Sequence, residues 1–331
     1  MENSMEKKLC ILIPTMNRPN CMEELLKEAS SDVNKTGVDV YVYDTSNNDE
    51  TKKLIEKYNE EARGHYLYYK HENYPDRTTD LKVINAFRKL EDTYKYIWLS
   101  GDGCILKISE MLEVIKKYLD QDFDVIHFTG EDGTEKSEIE IYDSPEKLFA
   151  EHGPFMTYYS ATILSSAFIK HIKWEEIGKE YRNSGFLFWK GVFEGLSEGS
   201  HKMMVVHRRH LSINPYKKGN SSYGPNKFLQ FWVRDWTKVV YSLPSCYDAY
   251  KEKVALGVGE RQRFYGMENL IRLRNTGNLN KQLFDEYKDE FAKVTKISLK
   301  RLHFVAVMPW LLVFCFRACF FVKYHWLAKL K

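Results

Sequence analysis

The sequence predicts an α/β protein: a mostly parallel sheet with helices on both faces, followed by a helical extension. Three observations carry this. Apolar or alternating runs of strand length recur through the first 130 residues, each separated from the next by a helical pattern. The runs stop at turn-forming or acidic residues. After residue 228 the strand signal disappears and long amphipathic patterns take over.

The elements follow in order. "LCILIPT" (9–15) is an apolar run of strand length, and "CMEELLKEAS" (21–30) has helical spacing. "VDVYVYD" (38–44) alternates as a strand, and "ETKKLIEKYNEEA" (50–62) is a charged amphipathic helix. "HYLYYK" (65–70), "DLKVINAFRKLED" (80–92) and "KYIWLS" (95–100) continue as strand, helix and strand. "SEMLEVIKKYLD" (109–120) reads as a helix and "FDVIHF" (123–128) as a strand. Residues 129–153 are polar and acidic, which predicts loops and an edge strand. "KMMVVHRRH" (202–210) predicts a late strand, and "NPYKKGNSSYGPNK" (214–227) a loop rich in Gly, Ser, Asn and Pro. The expected organisation is a catalytic domain over 1–227, with a nucleotide half (1–130) and an acceptor half (131–227). A helical extension over 228–300 and a basic, apolar segment over 301–331 complete it.

Composition sets the class. Of 331 residues, 44% are hydrophobic and 29% charged, an ordinary globular balance. The six cysteines form no CxxC pair and show no metal spacing, which fits a reducing compartment. The start, "MENSMEKK", is polar rather than a signal peptide. The net charge of +3 conceals an asymmetry. Residues 291–331 contain eight Lys or Arg and no acid, whereas 1–290 hold 41 basic against 46 acidic side chains. Such a tail seeks an anionic partner. Within it, "FVAVMPWLLVFCFRACFFV" (304–322) carries one charge, Arg317. A spanning helix needs roughly 20 apolar residues, and a central arginine costs about 2.5–3.5 kcal/mol. An interfacial segment on an anionic leaflet is the expectation, with a core helix docked on the body as the alternative. Nucleic acid is disfavoured as partner, because 19 nearly uncharged residues interrupt the basic charge.

Open parallel sheets bind ligands at the carboxyl ends of their strands. Those ends carry Pro14-Thr15, Asp44, Lys70 and Asp102. The last stands in "YIWLSGDGCIL" (96–106), a strand that runs into a turn with one carboxylate between Gly101 and Gly103. "ILIPTMNRPN" (11–20), "VYDTSNND" (42–49) and "YIWLSGDG" (96–103), in that order, resemble family 2 glycosyltransferases of the GT-A fold. The similarity is to the bacterial surface-polysaccharide branch, including abequosyltransferase-like enzymes.

The resemblance implies a Rossmann-like GT-A sheet and transfer of a sugar from a nucleotide diphosphate sugar, a UDP-sugar being the expectation. The expected acceptor is a lipid-linked oligosaccharide in capsule, cell-wall polysaccharide or O-antigen synthesis, at the inner face of the cell membrane. Pro14, Thr15, Asn17 and Arg18 would cradle the nucleotide, with Arg18 offering a phosphate fork. Asp44 would face the nucleoside, with Ser46 two residues on; a turn-forming role is its alternative. Arg77, Asp80 and Lys82 lie where the family makes further donor contacts; a solvated helix start fits them equally. Gly101 would allow close backbone approach to the donor. Asp102 occupies the family's metal motif and would hold Mn²⁺ or Mg²⁺ across the diphosphate, with His207 or His210 as a further ligand. A tight strand exit is the alternative for that turn.

Inversion requires a base for the acceptor proton. "GFLFWKGVFEGLSEGSHK" (185–202) supplies Glu194 and Glu198, with Glu194 favoured and a solvent-facing acid as its alternative. Lys217 and Lys218 suit a loop closing over the diphosphate, or a plain surface linker. "GVGERQRFYG" (257–266) lacks the rest of a dinucleotide fingerprint. A nucleotidyltransferase would put a Gly-rich loop where this chain has "PTMNRPN". A degenerate GT-A protein that only binds glycan or nucleotide is the non-enzymatic alternative.

Overall fold

A computed structural model of the chain describes residues 8–62, 66–70, 79–130, 138–217 and 227–328. It divides into two compact units, Met1–Gly219 and Asn220–Lys331.

The first unit opens with β1 (Leu9–Thr15), α1 (Pro19–Thr36), β2 (Asp39–Asp44), α2 (Glu50–Ala62), β3 (Tyr66–Lys70), α3 (Thr79–Leu90) and β4 (Tyr96–Leu99). Every residue of β1 and β4 is buried, which is why both read as continuous apolar runs rather than alternating ones. Pro19 starts α1, where its missing N–H costs nothing. Gly37 ends that helix at φ 65°, and its N–H reaches the Val33 carbonyl. Next come β5 (Cys104–Leu106), α4 (Ile108–Ile115), β6 (Val125–Phe128), β7 (Ile139–Tyr142), α5 (Pro145–His152) and β8 (Thr162–Ser165). The unit closes with α6 (Ser166–His171), α7 (Trp174–Tyr181), α8 (Leu187–Leu196), β9 (Met203–Val206) and β10 (Leu211–Ile213).

Eight strands form one sheet in the order β3-β2-β1-β4-β8-β6-β9-β7. The β1 pairs with β2 and β4 are parallel, as are β2 with β3 and β6 with β9. Two strands run antiparallel: β8, inserted between β4 and β6, and β7 at the edge. The α/β class and mostly parallel sheet expected from the alternation are therefore present. The core packs Trp98 and Tyr96 of β4 with Phe123 and Phe128, all buried. Each such side chain contributes about 1.5–3 kcal/mol of apolar burial. A second, two-stranded sheet pairs β10 antiparallel with β5, Ile213 facing Cys104. This small sheet brings a segment more than 100 residues downstream against the turn after β4.

The second unit is helical among its described residues. A π-helical turn (Gln230–Asp235) leads into α9 (Trp236–Tyr241), α10 (Asp248–Arg261), α11 (Met267–Asn275), α12 (Lys281–Val294), α13 (Leu299–Val307) and α14 (Trp310–Ala328). The apolar segment spans the last two helices. Among the described residues no single helix is long and apolar enough to cross a membrane. Leu299–Val307 and Trp310–Phe320 meet that test only jointly, and they are bent by 106° at Met308-Pro309. Val305, Ala306, Met308 and Val313 are buried, whereas Phe304, Trp310, Leu311 and Phe314 are exposed. Arg317 donates to Asn275 Oδ1 at 3.0 Å, and Arg274 donates to the Met308 carbonyl. The segment thus docks one face on its own unit and leaves an aromatic face uncovered.

Candidate functional site

The carboxyl ends of β1, β2 and β4 converge on the turn Ser100–Gly103. Asp102 is buried there, and both its oxygens are engaged. Thr15, at the end of β1, donates its hydroxyl to Oδ2 at 2.9 Å, and Arg18 donates Nη1 to Oδ1 at 2.9 Å. The Arg18 side chain keeps 38% of its surface exposed, so it reaches the acid from the open side. Lys82 of α3 is buried beneath, close enough to feel both Asp102 and Asp44. Burial pushes its ammonium down to about 8, against the pull of those two carboxylates.

The turn is fixed from two sides. Ser160 accepts from the Gly101 N–H at 3.1 Å, and its carbonyl takes the Trp98 indole N–H. Asn214, fully buried after β10, donates Nδ2 to the carbonyls of Cys21 (2.8 Å) and Asp102 (3.2 Å). Its N–H reaches the Gly103 carbonyl and its Oδ1 accepts from Tyr216 N–H. The Lys217 N–H closes on the Asn214 carbonyl. From that perch the Lys217 side chain lies across Gly103, where an added Cβ would stand 2.8 Å from its Cδ. Lys217 Nζ is 3.5 Å from the hydroxyl of Tyr158, an exposed ring beside the turn. The two glycines thus do different work: Gly103 makes room for Lys217, and Gly101 faces open space.

A second cluster ties β1 to β2. Asn17 sits at φ 53°, a left-handed conformation that asparagine tolerates. Its N–H donates to Ser46 Oγ, and its Oδ1 accepts from Asn47 N–H. Ser46 in turn donates its N–H to Asp44 Oδ1, while Tyr68 donates its hydroxyl to Asp44 Oδ2 at 2.9 Å.

Several expectations need correction. Asp44 was expected to face a nucleoside. Its carboxylate is fully buried and builds the turn instead, leaving Asn17 as the exposed group. Pro14 is buried inside β1, in register with Tyr43. Asp80 and Lys82 are not a solvated helix start, since both are buried. Asp80 accepts from the Tyr159 hydroxyl (2.8 Å) and the Gly185 N–H (3.0 Å), and so anchors the entry to α8. Burial pushes its carboxyl up to about 7. Glu194 pairs with the buried Lys190 at 2.6 Å, and lies seven residues, about 10 Å, along α8 from the Asp80-anchored end. Glu198 is exposed and paired with Lys173 at 2.8 Å, which holds its carboxyl below the usual range. Both acids stand in ion pairs with lysines as their side chains lie.

The histidines also lie elsewhere. His207 faces Glu140, and His210 stacks on Phe128 with ring centroids 5.2 Å apart. Burial pushes His210 down to about 4. Neither has a described contact with Asp102. Arg77 and Lys218 lie outside the described residues. Sequence reasoning missed Asn214, Ser160 and Tyr158. Only Asn214 had a signal, the Asn-Pro pair that opens the loop.

Asp102 can accommodate a divalent cation within limits. A carboxylate offers about four lone-pair sites, and two are used. Among the described residues it belongs to no cluster of three or more possible metal ligands. The set suits Mg²⁺ or Mn²⁺ completed by phosphate oxygens and water, not a cage made by protein alone.

Solved structures share this architecture. S. aureus TarS 1–349 superposes with a TM-score of 0.54 at 16% identity, over 90% of this chain and 86% of that one. The chain has the GT-A fold. The same TarS portion in complex with UDP gives a GT-A match of 0.53 at 14% identity, over 90% and 86% of the two chains. Against a longer TarS chain, this protein spans about half the length, 52%. The mannosyltransferase PcManGT from Pyrobaculum calidifontis, in complex with GDP-Man and Mn²⁺, matches at 0.50 and 12% identity, over 89% of this chain and 78% of that one. No protein-family model and no curated protein sequence matches the chain.

Proposed function

We propose that the chain is an inverting, metal-dependent glycosyltransferase of hexosyl type that takes a nucleotide diphosphate sugar, a UDP-sugar first. The observation that carries this is the set of three cations, Arg18, Lys82 and Lys217, gathered around one acid at the carboxyl edge of the GT-A sheet. Even with Asp44, which Lys82 also feels, the set has two negative charges for three positive ones, and a diphosphate supplies the missing charge. Asn17 and Ser46 border the same edge on the β2 side, where a nucleoside would lie. The UDP-bound TarS structure and the GDP-Man- and Mn²⁺-bound PcManGT structure support both a nucleotide donor and a cation.

The residues divide the work. Arg18 and Lys217, reaching in from the open side, would bind the phosphates as the donor enters. Lys82, fixed beneath, would stabilise the charge that grows on the diphosphate as the glycosidic bond breaks. A divalent cation held by Asp102 would supply further neutralisation of that leaving group.

The acceptor is proposed to be a lipid-linked glycan of a bacterial capsule, cell-wall polysaccharide or O-antigen, met at the inner face of the membrane. Support comes from the exposed face of Phe304, Trp310, Leu311 and Phe314 within a tail free of acids. Leu311→Ser with Phe314→Ser should release the protein from anionic vesicles; unchanged partitioning would exclude that face as the anchor. A second reading is a GT-A protein that binds nucleotide without transfer. The pairing of Glu194 with Lys190 and of Glu198 with Lys173 favours it. A thermal-shift screen of nucleotide sugars, followed by product analysis with the best donor, separates the two. A stabilising donor with no transfer product would support the second reading, and no stabilising donor would exclude both.

A further inference from the structure

The geometry points to a second metal site, a Zn²⁺ clip at the sheet edge built from Glu140, Glu151 and His152, with His207 facing it. The site is separate from Asp102 and does not depend on the glycosyl-transfer reading.

Strand geometry assembles it. Glu140 and Tyr142 are two apart on β7, so they share one face. The β7–β9 register sets Glu140 opposite Val205, which puts His207, two residues on, at the same face. The C-terminal turn of α5 supplies Glu151 and His152. One ligand atom from each of Glu140, Glu151 and His152 lies within 4.8 Å of the others.

Two further observations set this cluster apart from a chance group of acids. The first is His207. Its side chain is 91% buried, and its Nε2 has no hydrogen bond yet stands 3.4 Å from Glu140 Oε1. The second is a shortage of protons around the Tyr142 hydroxyl. That oxygen lies 2.7 Å from Glu140 Oε2, 2.7 Å from Glu151 Oε2 and 3.1 Å from His152 Nε2. A phenol carries one proton, so it satisfies one carboxylate. The imidazole can donate to the phenol oxygen, but then the second carboxylate faces a lone pair at 2.7 Å. A divalent cation between the carboxylates and the imidazole resolves the conflict, since all three then direct lone pairs at one positive centre.

The ligand chemistry selects the ion. Imidazole nitrogen with carboxylate oxygen suits Zn²⁺, and up to four such ligands match its tetrahedral preference. Glu151 is exposed, which gives the ion an entry path. The role is structural. The clip would join β7, α5 and the exit of β9, and that exit leads through His210 into β10 and Asn214, the residue that holds the Asp102 turn.

The test uses the full chain stripped with chelator and titrated calorimetrically with ZnCl₂ near neutral pH. One equivalent should bind to the wild type and equally to Asp102→Asn. Glu140→Gln with Glu151→Gln should weaken Zn²⁺ binding at least tenfold. The single Glu151→Gln, at an exposed position that leaves the fold intact, should weaken it in the same direction. Zn²⁺ should also raise the melting temperature of the wild type but not of the double variant. The proposal is overturned if the wild type binds no stoichiometric Zn²⁺, if Glu151→Gln binds as the wild type does, or if binding disappears in Asp102→Asn.

Discussion

Replacing Asn214 with alanine should loosen the turn that presents Asp102. The amide is fully buried and makes three hydrogen bonds: Nδ2 to the Cys21 and Asp102 carbonyls, and Oδ1 from the Tyr216 N–H. Each bond contributes about 0.5–1.5 kcal/mol net, and a buried group left without a partner costs about 1–3 kcal/mol. The Tyr216 N–H regains water, because that segment is partly exposed, whereas the two carbonyls beneath do not. The sum is about 3 kcal/mol. For a unit of roughly 200 residues this lowers the melting temperature by about 6–12 °C. Asn214→Asp should be at least as damaging, since it aims a carboxylate at two carbonyls beside Asp102. Calorimetric melting reads the stability, and titration with UDP reads the site, where affinity should fall with the lost perch of Lys217. A melting temperature within 2 °C of the wild type would refute the reasoning, because β10 would then not hold the turn.

Other outcomes follow from the same geometry. Lys82 titrates near 8 in the free protein, and a bound diphosphate favours its charged form. Nucleotide affinity should be flat below that pH and fall by up to tenfold per unit above it; Lys82→Met should abolish the break, and a break that survives would clear Lys82 of the role. Asp80, pushed up to about 7 by burial, holds a proton in the native state that the unfolded chain releases near 3.8. Its stabilising contribution is therefore complete below about 4 and lost as pH rises through 7. Asp80→Asn should flatten the melting temperature between pH 4 and 7, and an unchanged slope would contradict the assignment. Glu194→Gln should leave sugar transfer within about threefold of the wild type while lowering stability, because Lys190 loses its partner; a hundredfold loss of transfer would restore Glu194 as the base.

Much of the donor side was legible. β1 and β4 announce themselves because fully buried central strands read as apolar runs, and β2 by its alternation; their ends then fall at or just before Thr15, Asp44 and Asp102. What stayed hidden depends on contacts distant in sequence. Asp80 meets Gly185 across 105 positions, and Asn214 meets Cys21 across 193. No local pattern marks either. Antiparallel β8 is four residues long and buried throughout, so its insertion between β4 and β6 leaves no period to read. His207 belongs with Glu140 because of strand register, which a single sequence does not specify. One signal was available and decisive: Lys190 stands four residues before Glu194 on a helix, the spacing that pairs opposite charges.

The central claim, that a nucleotide diphosphate occupies the Asp102 turn with a cation, is tested most directly by calorimetric titration of UDP and UDP-sugars, with and without Mn²⁺, into the wild type and Asp102→Asn. The account predicts binding that Mn²⁺ strengthens at least tenfold in the wild type and leaves unchanged in Asp102→Asn. Equal Mn²⁺ dependence in both proteins, or none in the wild type, would contradict it.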